Sequence, residues 1–333
     1  MGRSEQSGIY QIINMDFIIY SFAILKNVIY GSSIFFTSRL TDNVDVLDVL
    51  ALRFLMSFAA MLILKLTRLV KVDISIKDIM RPGKRQSVML SLVLTALFEP
   101  VLYMTFETLG ISMTTNITAS VILSLLPVTC AISEFIFLGE RVTWKKGLFL
   151  AVGMAGVIYI AVNTHSEGGK DTLAGIIFVL LAVIVGALYM TFSRKTSAGF
   201  NAMDITYFSS FMGMVVFNTV NVIRHIICGD LGSYFVPYMS LENMTGFVFL
   251  AIISTIAATG MNNFALARMQ VTTMSAFSGL GTFVAIAIGV LFNNERLYMY
   301  HIIGIGLILI RVIGIICLTA GKNKKITEKN IKM

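Results

Sequence analysis

Residues Asn116–Val162 read NITASVILSLLPVTCAISEFIFLGERVTWKKGLFLAVGMAGVIYIAV, two apolar segments joined by a short polar corner, Gly139-Glu140-Arg141, with Lys145 and Lys146 just beyond it. Sliding the chain against itself by 155 positions, without gaps, lays Glu140-Arg141 on Glu295-Arg296 and Phe137 on Phe292. The same offset pairs Gly31 with Gly186, Ser38-Arg39 with Ser193-Arg194, Thr118 with Thr273 and Ser120 with Ser275. One register running through so many segments marks a duplicated unit.

The unit belongs in a membrane. Hydrophobic residues make up 56% of the 333 positions and charged residues 13%, against roughly 25% charge in an ordinary soluble domain. A span needs about 20 apolar residues to cross the hydrocarbon core. Ten segments qualify, near 15–38, 46–66, 88–108, 114–137, 145–163, 173–192, 205–228, 243–266, 271–292 and 298–320. The expected fold is therefore an all-α polytopic membrane protein of ten transmembrane helices. Its first repeat occupies 1–163 and its second 173–320, followed by a basic cytoplasmic tail, 321–333. Five spans per repeat is an odd number, so the second copy enters the bilayer from the opposite side and the repeats are inverted.

The net charge of +8 raises the question of nucleic acid, and its placement answers it. With the N-terminus inside, 19 Lys/Arg fall in inside loops and tails and four outside, namely Arg39, Lys170, Arg224 and Arg296. That asymmetry is the positive-inside bias. Both termini are expected in the cytoplasm of a cell (inner) membrane protein, with the basic surface facing lipid and no nucleic acid as partner. The three cysteines, Cys130, Cys228 and Cys317, form neither a disulfide framework nor metal-ligand spacing and are expected as small core residues. The first apolar segment is expected to be a retained helix, being too long for the apolar core of a signal peptide.

Phe-Leu-Gly-Glu-Arg at 137–141, following a Pro127-containing helix and preceding a helix with Gly147, Gly153 and Gly156, resembles the EamA-type repeat of the drug/metabolite transporter superfamily. The resemblance extends over Phe17–Val162 and Leu173–Ala320. In the second half Thr282 stands for Pro127, Asn293-Asn294 for Leu138-Gly139, and Arg311 for Gly156. The family implies two inverted five-helix bundles that move small metabolites, often exporting amino acids.

Helical periodicity adds a cavity. Polar or small stripes run along Lys26, Tyr30, Ser33 and Thr37; along Thr95, Glu99, Tyr103 and Glu107; and along Asn116, Ser120, Ser124, Pro127, Ala131 and Glu134. The second half has Thr255, Thr259 and Asn262, then Ser275, Ser278, Thr282 and Gly289. Such stripes either line a cavity or let helices pack closely. The substrate-binding set expected from them is Lys26, Tyr30, Glu99, Tyr103, Asn116, Ser120, Ser124, Thr255, Thr259, Ser275, Ser278 and Thr282.

Charges at mid-membrane depth are costly and mark pathways or buried pairs. Glu99 precedes Pro100 and is the leading candidate. It either carries a coupling proton or meets a substrate ammonium, or else serves as a counter-ion. Lys26 either recognises a carboxylate or phosphate or pairs with Glu99. Arg53 and Arg311 read as structural or snorkelling. Glu140 and Glu295 read as helix caps or local partners of the adjacent arginines, and Tyr189, like Tyr30 and Tyr103, as packing or a substrate contact. Asp42, Asp45 and Asp48 read as a solvated face. The scattered histidines, His165, His225 and His301, and the lack of a P-loop give no reason to expect metal, cofactor or enzyme activity.

The expected function is secondary transport of small metabolites across a bacterial inner membrane by alternating access. Export of amino acids or related compounds, with possible proton coupling, is the leading form. Organic cations or phosphorylated metabolites are the alternative cargo, and an integral-membrane enzyme or scaffold the alternative class.

Overall fold

The computed structural model describes residues 3–74, 86–163, 171–292 and 298–331. The Glu295-Arg296 corner, Asn293-Asn294, His165, Lys170 and the basic residues of 75–85 lie outside the described residues. Among the described residues ten long helices follow in order: α1 (Phe17–Thr41), α2 (Val46–Leu66), α3 (Met89–Ser112), α4 (Asn116–Leu138), α5 (Trp144–Asn163), α6 (Leu173–Thr196), α7 (Ala202–Cys228), α8 (Leu241–Leu266), α9 (Val271–Phe292) and α10 (Met299–Leu318). All but α5 are, among the described residues, long and apolar enough to cross a membrane, and α5 has the 20 residues a span needs. The helix of α1 begins at Arg3 and that of α10 continues to Ile331.

Local chemistry sets the ends. Asp45 caps α2 by accepting from the Leu47 amide at 2.9 Å, Thr172 caps α6 through Gly175, and Asn201 with Asp204 forms a reciprocal capping box on α7. Gly139 ends α4 in the left-handed region, φ 68°, a conformation that costs other residues a clash with their own Cβ. The corner read from sequence is thus a glycine-terminated helix.

The distribution of polarity is that of a membrane protein. Ile177, Leu180 and Ile184 on α6 and Ile302, Ile303 and Ile310 on α10 face outward, whereas Lys26, Glu99, Asn262 and Arg311 are buried. Lipid takes the apolar faces and the bundle interior takes the polar ones.

Both halves carry the same irregularities. The third helix of the first half has a π-helical turn at Leu97–Leu102, and its counterpart α8 has one at Phe249–Ala258; the 155-residue offset carries the first into the second. The fourth helices, α4 and α9, are both broken. In α4 the segments are Asn116–Leu123 and Leu126–Leu138, because Pro127 has no amide hydrogen with which to continue the ladder to Leu123. In α9 they are Val271–Ala276 and Ser278–Phe292, with no proline at the break. Substituting Thr282 for the proline therefore does not restore a continuous helix.

Helix crossings follow the same symmetry. Gly31 packs on Gly281, and Gly186, one offset away, packs on Tyr103 and Leu126, the latter one offset from Gly281. At the periphery α5 and α10 lie together, Gly156 against Gly304 and Gly153 against Arg311. Small residues here admit the close approach that helix association in lipid requires.

Three sequence expectations are corrected. Only Cys130 is buried; Cys228 and Cys317 are exposed, since their faces of α7 and α10 turn outward. Asp48 is not part of a solvated face: it is buried and accepts from Asn221, His225 and Arg224 at 2.7–2.8 Å, while Asp45 stays exposed and pairs with Arg224 at 2.6 Å. Glu140 pairs with Arg194 at 2.6 Å rather than with Arg141, because α6 ends beside the corner.

Candidate functional site

Six helices, α1, α3, α4, α6, α8 and α9, surround a central cavity of about 80 Å³. Glu99 enters it because the α3 helix is interrupted there. Pro100 cannot donate to the preceding turn, and Glu99 adopts φ −135°, ψ 121° within the π turn. Its carboxyl lies beside Tyr189 and within electrostatic reach of Glu107, Arg53 and Lys26. One turn further on, the Tyr103 hydroxyl donates to Glu107 at 2.6 Å.

Lys26 reaches the cavity from α1. Among the described residues no carboxylate comes within ion-pair distance of it, and its ammonium lies 5.1 Å from the centroid of the Tyr30 ring. Tyr30 in turn shares a hydrogen bond of 3.0 Å with Thr259. Across the cavity the Asn262 amide donates to the Tyr189 hydroxyl at 3.3 Å. One small buried space therefore collects two carboxylates, an ammonium, three phenols and two amides.

Of the twelve residues expected from sequence, Lys26, Tyr30, Glu99, Tyr103, Ser120, Ser278 and Thr282 line this cavity. The other five do not. Thr259 stands behind Tyr30, and Thr255 accepts from Arg53 Nε at 2.9 Å, so Arg53 is held inside the bundle rather than snorkelling. Ser124 offers its backbone carbonyl to Arg311 at 2.6 Å, Ser275 donates to its own preceding turn, and Asn116 is buried at the start of α4. Glu107, Asn27, Tyr189 and Asn262 line the cavity without having been assigned to the set. Glu107 had a signal, since it continues the Glu99–Tyr103 stripe at helical spacing; Asn27, next to Lys26, had none.

Both ends of the bundle are closed by contacts between the two halves. At the end bearing Gly139, Glu134 accepts from Arg194 at 2.7 Å and from the backbone amides of Val271 and Thr272, capping the first segment of α9. Lys146 joins this group through Gln270 and Thr273, and a vestibule of about 550 Å³ containing Arg141, Lys145 and Arg268 opens beside it. At the other end Asp48 of α2 holds Arg224, His225 and Asn221 of α7, and Arg39 meets Glu242 at 2.7 Å. The loop after α7 is fastened there too. Tyr234 donates to Asn218 and Tyr238 to the Leu52 carbonyl, both at 2.6 Å, and burial raises both phenol pKa values, keeping them as donors.

The EamA-like transporter family matches residues 17–162 and 173–317. An uncharacterized transporter of Bacillus subtilis, YcxC, is 30% identical over 295 residues, 89% of this chain and 91% of its own. An uncharacterized transporter of Archaeoglobus fulgidus is 26% identical over 218 residues, 65% of this chain and 73% of its own. A solved crystal structure superposes over 88% of this chain and 98% of its own with a TM-score of 0.61 at 15% identity, a likeness of fold alone. With two matched halves that repeat the same π turn and the same broken helix, the chain belongs to the EamA-like transporter family of the drug/metabolite transporter superfamily and is a multi-pass membrane transporter.

Proposed function

We propose that the protein exports zwitterionic amino acids or close relatives across a cell membrane, with both termini cytoplasmic and the central cavity as the substrate site. The observation that carries this reading is the company of Glu99 and Glu107 with Lys26 in one buried space. Carboxylates suit a substrate ammonium, a lysine suits a carboxylate, and the tyrosine hydroxyls complete the hydrogen bonding. Glu99 is also the candidate proton carrier for coupling.

Alternating access is the proposed mechanism. A cavity of about 80 Å³ is well below the roughly 300–1,000 Å³ of ordinary ligand sites, and contacts between the halves close both ends. Those features fit an occluded state between two open ones, and inverted repeats supply the symmetry that interconverts them. The domain limits proposed are 1–163 and 173–320, with 321–333 as the basic tail.

A second reading has its own support. Two carboxylates against one lysine, together with three tyrosine rings, also suit an organic cation. Flux into and out of proteoliposomes, using radiolabelled amino acids and their decarboxylated amines in parallel, separates the two. Transport of the amino acid but not the amine, lost in Glu99→Gln, supports the zwitterion reading. Transport of the amine alone replaces it with the cation reading, and no flux of either removes both.

A further inference from the structure

Arg311 lies at the breaks of both discontinuous helices. Its side chain is fully buried, and its Nη1 donates to the Ser124 carbonyl, which ends the first segment of α4, at 2.6 Å. A positive group at a helix C-terminus is favourable. Its Nη2 faces the opposite situation: it is 3.2 Å from where a Cβ on Gly279 would stand, at the start of the segment Ser278–Phe292. That is the positive end of a 15-residue helix, where a cation is repelled and an anion attracted.

Two further observations point to an anion. Nε and Nη2 of Arg311 have no hydrogen-bond partner among the described residues, and no carboxylate of the described residues is in ion-pair distance. The hydroxyl of Ser278, at the same helix end, is buried and likewise without a partner, and Ser278 lines the central cavity. A guanidinium with two unpaired nitrogens, an unpaired hydroxyl and a helix N-terminus thus gather around the start of the second α9 segment, whose Ser278 lines that cavity. Buried donors left unsatisfied cost free energy that a bound acceptor returns.

We infer that the wall formed by Ser278 and the start of the second α9 segment, with Arg311 behind it, is a carboxylate subsite of the central cavity. This rests on the reading of that cavity as the substrate site. The substrate carboxylate accepts from Ser278 and lies in the combined field of the helix end and the guanidinium, while Glu99 and Glu107 face the ammonium. Arg311 acts as a positioning residue through the first turn of the segment. Glycine at 153 and 279 explains how so large a side chain reaches that place, since a Cβ on either would lie within 3.2 Å of it.

The test is binding of leucine, isoamylamine and isocaproate to the full-length protein in detergent, read by thermal unfolding at several ligand concentrations. Leucine carries both charges, isoamylamine only the ammonium and isocaproate only the carboxylate. In Ser278→Ala and Arg311→Gln the affinities for leucine and isocaproate should fall about tenfold relative to isoamylamine, and Arg311→Lys should recover most of the loss. An acid-to-amine ratio unchanged in both variants overturns the subsite, because a merely structural arginine would weaken all three ligands alike. Should Arg311→Gln fail to fold, Ser278→Ala decides. Isocaproate binding that depends on Ser278, without leucine binding, keeps the subsite while removing the amino-acid reading. Binding of isoamylamine alone, or of none of the three, overturns the subsite.

Discussion

Gly31 of α1 and Gly281 of α9 meet backbone to backbone, so that a Cβ on Gly31 would lie 2.3 Å from the Gly281 carbonyl oxygen. Both residues line the central cavity, and the contact joins the first half of the chain to the second. Gly31→Ala must push α1 and α9 apart. The expected cost is about 1–3 kcal/mol, seen as a lower unfolding midpoint in detergent. Gly147, inside α5 with nothing within 4 Å of its Cβ position, is the control. Gly147→Ala should be neutral or stabilise by up to about 1 kcal/mol, through helix propensity alone. Equal effects of the two substitutions would contradict the packing described.

Arg194 binds both Glu134 and Glu140, at 2.7 and 2.6 Å, and thereby ties α6 to α4 and to the α4–α5 corner. If this cluster closes one end of the transporter, Arg194→Ala should populate a conformation open there. Cys130 is a natural reporter: it is buried, and its thiol contacts Met190, a cavity-lining residue. In a background with the exposed Cys228 and Cys317 changed to serine, maleimide labelling of Cys130 should be several-fold faster in Arg194→Ala. An unchanged rate would show that the cluster does not govern access.

If the cavity takes an ammonium as proposed, Glu107 should matter to its binding alongside Glu99. Its hydrogen bond from Tyr103 orients the carboxylate, so Glu107→Gln should weaken an ammonium ligand about tenfold. Tyr103→Phe, which leaves the charge in place, should cost less. Isothermal titration with a primary amine measures both. A larger loss in Tyr103→Phe would mean that the phenol, rather than the carboxylate, makes the contact.

The spans and their duplication were legible in the sequence because hydrophobic length and a single offset are properties of the chain alone. Periodicity also brought Lys26, Glu99, Tyr103 and Ser278 onto helix faces that meet in the cavity. It fixed the face of each stripe but not its depth, and so it grouped Thr255 and Ser275 with residues whose neighbours are quite different. The partners of Glu140 and Asp48 were hidden for a related reason. Adjacent residues suggested Arg141 and solvent, whereas Arg194 and Arg224 are brought there by helix packing between the halves. The break in α9 was hidden as well, since it falls at Phe277 without a proline to announce it.

Asp48 carries more of the structure than its place beside a loop suggests. Its carboxylate is shared by Asn221, His225 and Arg224, which fastens α2 to α7. Asp48→Ala leaves the buried Nε2 of His225 and the buried amide of Asn221 without their acceptor and removes one of the two carboxylates that Arg224 pairs with. The cost should be about 2–4 kcal/mol, more than that of Arg39→Ala, whose pair with Glu242 is exposed. Asp48→Asn keeps one acceptor and should fall between them. Unfolding midpoints of the three variants, measured in one detergent, give the order directly; a loss in Arg39→Ala as large as that in Asp48→Ala would refute the assignment of Asp48 as the tie between the halves at this end.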